Sequence, residues 1–229
     1  CQPSQPAPVK LCDMELTTAL RATGAVRGFT ADPVDDATIA AVLDDARFAP
    51  SGGNRQPWRV AVVRDPAVRR GMADLMRPVW EEYAGAQAAG HRAFAFGKSV
   101  DAPPAAVPNA LIDGIEAVPV VLAVAADLRD IAIMDGNVAH RPPVVGGASI
   151  YPFCWSVLLA ARSRGLGGVL TTFLSRNEAA AAPLLGLPEH HALVATIFLG
   201  VPTHQNTKLS RRPVNSFATV DRFDGDSFG

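Results

Sequence analysis

Ala49-Pro50-Ser51-Gly52-Gly53-Asn54-Arg55-Gln56-Pro57-Trp58-Arg59-Val60-Ala61-Val62-Val63 runs from turn formers straight into β-branched and aromatic residues. Pro50 and Pro57 stiffen both ends of the first half, and Gly52 and Gly53 let a ligand come close to the backbone. The pattern predicts a loop over 50–57 and a strand over Trp58–Val63 that anchors it to a core. Upstream, Ile39, Val42, Leu43 and Ala46 recur at helical spacing behind Asp35 or Asp36, either of which can cap a helix. The Ser51 hydroxyl and the Asn54 and Gln56 amides offer donors and acceptors suited to a flat polar ring system. An ordinary helix-to-strand turn has the same composition, so the loop alone does not decide the chemistry.

Working outward, Met14–Ala22 reads as a short helix and Thr23–Pro33 as a loop broken by Gly24 and Gly28. Pro66 opens a further helix, and Pro78 is expected to break or kink it. Trp80–Pro108 is weakly patterned and is expected to form a lid-like surface excursion with helical pieces, carrying Trp80, Tyr83, Phe94 and Phe96. Val118–Ala126 is apolar on both faces and predicts a buried strand, followed by an irregular loop over Leu128–Val145. Ile150–Arg164 predicts a long apolar helix stopped by Gly165. Val169–Phe173 predicts a strand. Ser175-Arg176-Asn177-Glu178 has the form of a capping box for the next helix. Ala192–Leu199 predicts the last core strand, and residues 200–229 a polar tail with Lys208, Arg211 and Arg212. Helices and strands mix without repeats, strict β-α-β alternation or a linker. The expectation is one α+β domain over 14–229, a central sheet flanked by helices.

The chain has 229 residues, 48% of them apolar and 19% charged, with a formal net charge of -1. That is ample for a core, and it argues against a surface built throughout for nucleic acid or anionic membrane. No apolar run approaches the roughly 18 residues of a spanning helix. Cys1, Cys12 and Cys154 are too few and too scattered for a disulfide framework or a metal pair, so a reducing cytoplasm is the expected compartment. Residues 1–13 are Pro/Gln-rich, and Met14 is a candidate start. The preceding stretch is expected to be a flexible extension or an expression remnant.

Separated basic residues, Arg21 and Arg27 near one end and Lys208, Arg211 and Arg212 near the other, could converge on a phosphate or stand as solvated surface charges. Gly165-Leu166-Gly167-Gly168-Val169-Leu170-Thr171-Thr172 turns a helix into a strand that delivers two threonines. It lacks the glycine order of a nicotinamide-binding Rossmann unit. His190-His191 has no third ligand nearby in sequence, and Cys154 reads as a buried structural thiol. HExxH, GxSxG and P-loop patterns are missing, so no protein acid, base or metal is expected to carry the chemistry.

Taken in register, these segments resemble the FMN-dependent nitroreductase superfamily. Ala49-Pro50-Ser51-Gly52 with Asn54 and Gln56-Pro57-Trp58 is similar to its flavin loop. Ser149-Ile150-Tyr151-Pro152 running into Leu158-Leu159-Ala160-Ala161-Arg162 and Gly165-Leu166-Gly167 is similar to its interface helix. Leu170-Thr171-Thr172 resembles the strand end beneath the flavin, and Arg211-Arg212-Pro213 the C-terminal phosphate contact. The similarity spans about Met14 to Phe223. One departure stands out: where the family commonly has Arg-Arg-Ser-x-Arg-x-Phe, this chain has Thr23-Gly24-Ala25-Val26-Arg27-Gly28-Phe29.

The resemblance implies a three-layer α+β sandwich with a mostly antiparallel sheet, paired as a homodimer through the Tyr151–Arg164 helix with FMN at the interface. It implies cofactor contacts from Thr23, Arg27, Ser51, Gly52, Asn54, Gln56, Leu170, Thr171, Thr172, Arg211 and Arg212. It further implies NADH or NADPH as donor and a small nitroaromatic or quinone-type acceptor in ping-pong turnover. Trp80, Tyr83, Phe94 and Phe96 are then expected near the acceptor. Same-fold alternatives are reductive dehalogenation, flavin destruction, or FMN sequestration without turnover.

Overall fold

The computed structural model describes residues 14–97 and 102–229, so the expectation for residues 1–13 lies outside the described residues. β2 (Val120–Asp127) is buried along its whole length. Its alternate side chains found two cores. Val120, Leu122, Val124 and Ala126 face one, and Val121 and Ala123 the other. A strand apolar on both faces has to lie inside a sheet covered twice. β2 accordingly pairs antiparallel with β1 (Trp58–Val63) on one side and β4 (His191–Gly200) on the other. β3 (Gly167–Thr171) closes the order β1-β2-β4-β3.

α2 (Asp36–Ala46) and α5 (Tyr151–Ser163) cover the first face, with Ile39, Val42, Phe153, Cys154 and Val157 in its core. Trp58 stacks on Phe153 with centroids 4.8 Å apart. α3 (Pro66–Ala88), α6 (Phe173–Arg176) and α7 (Glu178–Leu185) cover the second face around Met72, Met76, Leu174 and Phe198. α1 (Leu16–Ala22) and α4 (Ala110–Asp113) complete the described helices. The three-layer α+β expectation holds. No helix among the described residues is long and apolar enough to cross a membrane.

Four local expectations are corrected. Pro78 does not break its helix: α3 runs on to Ala88, so the helical part of the expected excursion is a continuation of α3 that carries Trp80 and Tyr83. Pro78 and Asp74 are both exposed, which leaves the carbonyl that loses its hydrogen bond open to water. Buried Met72, Met76 and Val79 hold the helix to the sheet through the gap. The capping box does not form. Asn177 instead donates its amide to Leu75 O at 2.6 Å, and Glu178 accepts from Leu193 N at 2.5 Å. These side chains tie α7 to α3 and β4.

β3 begins and ends two residues earlier than expected, and Phe173 opens α6. The strand reaches into the glycines because Ala25 bridges Gly168 in parallel and Val26 N donates to Gly168 O at 2.9 Å. The tail is not simply polar either: Val214, Phe217, Phe223 and Phe228 are all exposed.

One buried charge joins the layers. Arg69 on α3 is only 7% exposed. Its Nε donates to Val63 O at 3.0 Å, and its Nη1 to Glu116 O and Val118 O at 3.0 and 2.7 Å. It thus satisfies carbonyls at the end of β1 and at the approach to β2. Arg69→Met would strand those carbonyls and should lower unfolding stability by about 3 kcal/mol, with one to three per orphaned group as the usual scale. Arg69→Lys should not restore it, because a single ammonium cannot span the fork. Urea unfolding of the two variants checks this.

Candidate functional site

Where β3 ends, on the second face of the sheet, a cavity of about 590 Å³ opens. Met76, Trp80, Tyr83 and Gln87 of α3 form one wall, and Leu170, Thr171, Thr172 and Phe173 the other. Phe198 and Ile112 lie deeper, Pro108 and Asn109 form the roof, and Arg27 supplies the positive charge. The walls are mainly apolar, with a few polar atoms set into them, as in ordinary cofactor and substrate clefts. The Thr171 hydroxyl is buried without a hydrogen-bond partner, and so is that of Thr196, which pairs with it across the sheet. An orphaned hydroxyl beside a cavity is a polar group that a ligand can satisfy.

The roof is a strap that folds back along α3. Ala105 N donates to Glu81 O at 3.0 Å and the Trp80 indole donates to Val107 O at 2.6 Å. At Gly85 the strap comes so near that a Cβ would lie 2.1 Å from Pro103 O. Asn109 Oδ1 then caps α4, accepting from Leu111 N at 3.1 Å. Phe173, Trp80 and Tyr83 form one aromatic cluster with centroids about 6 Å apart. Phe94 joins it from outside, 6.4 Å from Tyr83, with the Arg176 guanidinium 4.4 Å over its ring.

Of the residues singled out from sequence, Arg27, Leu170, Thr171, Thr172, Trp80 and Tyr83 line this cavity. Phe94 and Phe96 do not, and Phe96 is largely exposed. Thr23 is buried at the end of α1 with its hydroxyl unpartnered, away from the cavity lining. Arg211 and Arg212 are exposed, and Arg211 donates to Ser210 O at 2.7 Å. Gly24 stands where the second arginine of the expected run would be. It is packed against Leu209 and Asn206, and a Cβ there would meet Leu209 at 2.9 Å. The C-terminal segment therefore occupies the space an arginine would need.

The loop carrying Ser51, Gly52, Asn54 and Gln56 lies elsewhere. It leads into β1, at the opposite edge of the sheet from β3. Three strand spacings separate those edges, about 14 Å. Gly53, Asn54 and Gln56 all hold left-handed backbone conformations. Ser51 Oγ accepts from Gln56 N at 3.0 Å, and Ser149 Oγ accepts from Gly52 N at 3.1 Å. Ser149 in turn follows a long loop pinned by Asp135, which accepts from Arg141 at 2.5 Å and from Val144 N at 2.8 Å. The Arg141 guanidinium holds the Asp135 carboxyl down at about 2. Burial pushes the Cys154 thiol up to about 12, which leaves it unreactive inside α5.

Sequence reading missed Met76, Gln87, Asn109 and Phe198. Met76, Trp80, Tyr83 and Gln87 recur at helical spacing, and only the assumption of a break at Pro78 hid that stripe.

The family model described as the nitroreductase family matches residues 20–201. The 5,6-dimethylbenzimidazole synthase of Rhodobacter capsulatus is 33% identical over 187 residues, covering 82% of this chain and 83% of that protein. The NADH dehydrogenase of Thermus thermophilus is 27% identical over 227 residues, covering 88% of this chain and 93% of its own. Among solved structures, a protein of Desulfovibrio desulfuricans in complex with FMN superposes with a TM-score of 0.66 at 21% identity. That alignment covers 93% of this chain and 99% of the other, and it shows a shared fold.

The pinned loop has a pH signature. A carboxyl held near 2 when folded and near 3.9 when unfolded contributes stability above about pH 4, and loses it as pH falls toward 2. Asp135→Asn should therefore be less stable than wild type at neutral pH. The gap between the two, read from urea midpoints, should narrow between about pH 4 and pH 2.

Proposed function

Because the chain belongs to the nitroreductase family, whose members are oxidoreductases, we propose that it passes hydride from NADH or NADPH through FMN to nitroaromatic or quinone-type acceptors. The observation that carries this reading is the cavity at the end of β3, which combines apolar walls, the unpartnered Thr171 hydroxyl and the charge of Arg27. Those groups fit a flavin: an apolar slot for a ring edge, a hydroxyl for a ring heteroatom, and a guanidinium for a phosphate. FMN, when bound, supplies the hydride-accepting ring, which side chains do not possess. Thr171 and Thr172 would hold the ring, and Arg27 the phosphate. Trp80 and Tyr83 would exclude water and offer aromatic faces to a small planar acceptor.

Ser51, Gly52, Asn54 and Gln56 enter this reading through a second copy of the chain. They stand at the far edge of the sheet, so one chain does not bring them to its own cavity. Tyr151 and Trp155 on α5 are 45% and 39% exposed, and Phe217 and Phe223 on the tail are exposed as well. Apolar area of that kind favours pairing. Arg211, Arg212 and Thr23 would join the phosphate end in the paired form.

The likeness to 5,6-dimethylbenzimidazole synthases favours one second reading, flavin destruction. The dimethyl-substituted benzene ring in that product's name is also present in the flavin ring system. Retention of the flavin over many turnovers separates the two: intact FMN supports the oxidoreductase, and stoichiometric loss of FMN supports destruction.

The purified chain should turn yellow with FMN and gain thermal stability. Arg27→Ala and Arg211→Ala should each weaken FMN binding about tenfold, the loss of one charge-assisted contact. Light scattering should give twice the 24.0 kDa chain mass. A colourless protein with no thermal response to FMN overturns the reading.

A further inference from the structure

Beyond its aromatic faces, the cavity wall on α3 carries a hydrogen-bonding pair. Gln87 Nε2 donates to Tyr83 Oη at 3.0 Å, one turn apart on the same helix. Both residues line the cavity. Among the described residues Tyr83 Oη has no other hydrogen-bond partner. A phenol that accepts from an amide keeps its own O–H available to donate. The ring itself is fixed: Trp80 and Phe173 lie about 6 Å away, and Phe94 packs on the outer side. Tyr83 can therefore present its O–H from one orientation, while Gln87 occupies the oxygen's lone pair.

Thr171 and Thr172 at the end of β3 and Arg27 line the same cavity as this pair. With the flavin held by those residues, a planar acceptor that enters the same cavity has the Tyr83 O–H within the wall on α3. Resting on the oxidoreductase reading above, we infer that Tyr83 is the specificity-determining donor for the acceptor, and that Gln87 is its positioning residue. The pair selects planar acceptors that carry an exposed oxygen, a quinone carbonyl or a nitro group, over acceptors that offer no hydrogen-bond-accepting edge. Discrimination of this kind comes from the hydrogen bond, since stacking alone accepts any flat ring.

The test uses FMN-loaded protein, with rates expressed per bound flavin. Benzoquinone is the oxygen-bearing planar acceptor, and ferricyanide is an electron acceptor that needs no stacking site. The readout is the ratio of kcat/KM for the two. Tyr83→Phe should lower that ratio about tenfold, mostly through the KM for benzoquinone. Gln87→Met, which keeps length and removes the amide, should lower it several-fold. Because Gln87 acts through the phenol, adding Gln87→Met to Tyr83→Phe should produce no further fall. An unchanged ratio in Tyr83→Phe overturns the assignment of the donor. A full Gln87→Met effect persisting in the Tyr83→Phe background overturns the positioning role. Wild-type protein that binds FMN yet reduces neither acceptor overturns the oxidoreductase reading itself, a result distinct from either.

Discussion

Everything in this fold depends on β2 having no exposed face. Eight consecutive buried residues cannot sit at an edge or under a single layer. They demand neighbours on both sides and helices above and below. Each fully buried Val or Leu in such a strand contributes about 1.5–3 kcal/mol relative to exposure. Two cores are thereby fixed on one strand, and the two candidate regions inherit their places from that arrangement. The rigid Ser51–Gln56 loop enters at the β1 edge, and the cavity opens at the β3 edge.

The second core has a further requirement, met by Arg69. Where β1 ends and before β2 begins, the Val63, Glu116 and Val118 carbonyls turn toward α3. One guanidinium collects several of them from within α3. The same helix then continues, through an exposed proline, to present Trp80, Tyr83 and Gln87 to the cavity. The element that seals the core thus also forms one wall of the cleft, so cleft geometry is referred back to the sheet through a rigid connection.

Elements with strong periodicity or composition were legible from sequence. β1 has the bounds its β-branched run predicts, α2 starts behind Asp35, and the double-faced apolar run is the central strand. What was not legible is tertiary in origin. Pro78 reads locally as a break, but buried methionines on its inner side outweigh the lost hydrogen bond. Ser175 to Glu178 read locally as a cap, but Asn177 and Glu178 find partners more than ten residues away. Among the candidate site residues, Arg27, Thr171 and Thr172 fall together because β3 and the segment that follows α1 are bridged at Gly168 and Ala25. Gln87 escaped because its significance lies in a helical stripe that the expected break had cut in two.

The strap's ride over Gly85 has an evolutionary corollary. Any side chain at that position would meet the Pro103 carbonyl, so the helix surface beneath the strap is closed to variation. In the roof, Asn109 is tied down by its cap on α4, whereas Pro108 beside it has no side chain that hydrogen-bonds. A lineage can therefore alter the ceiling of the cleft at Pro108 over a helix whose approach to the strap stays fixed at Gly85. The cleft changes shape there by small steps that leave the folding of the sheet untouched.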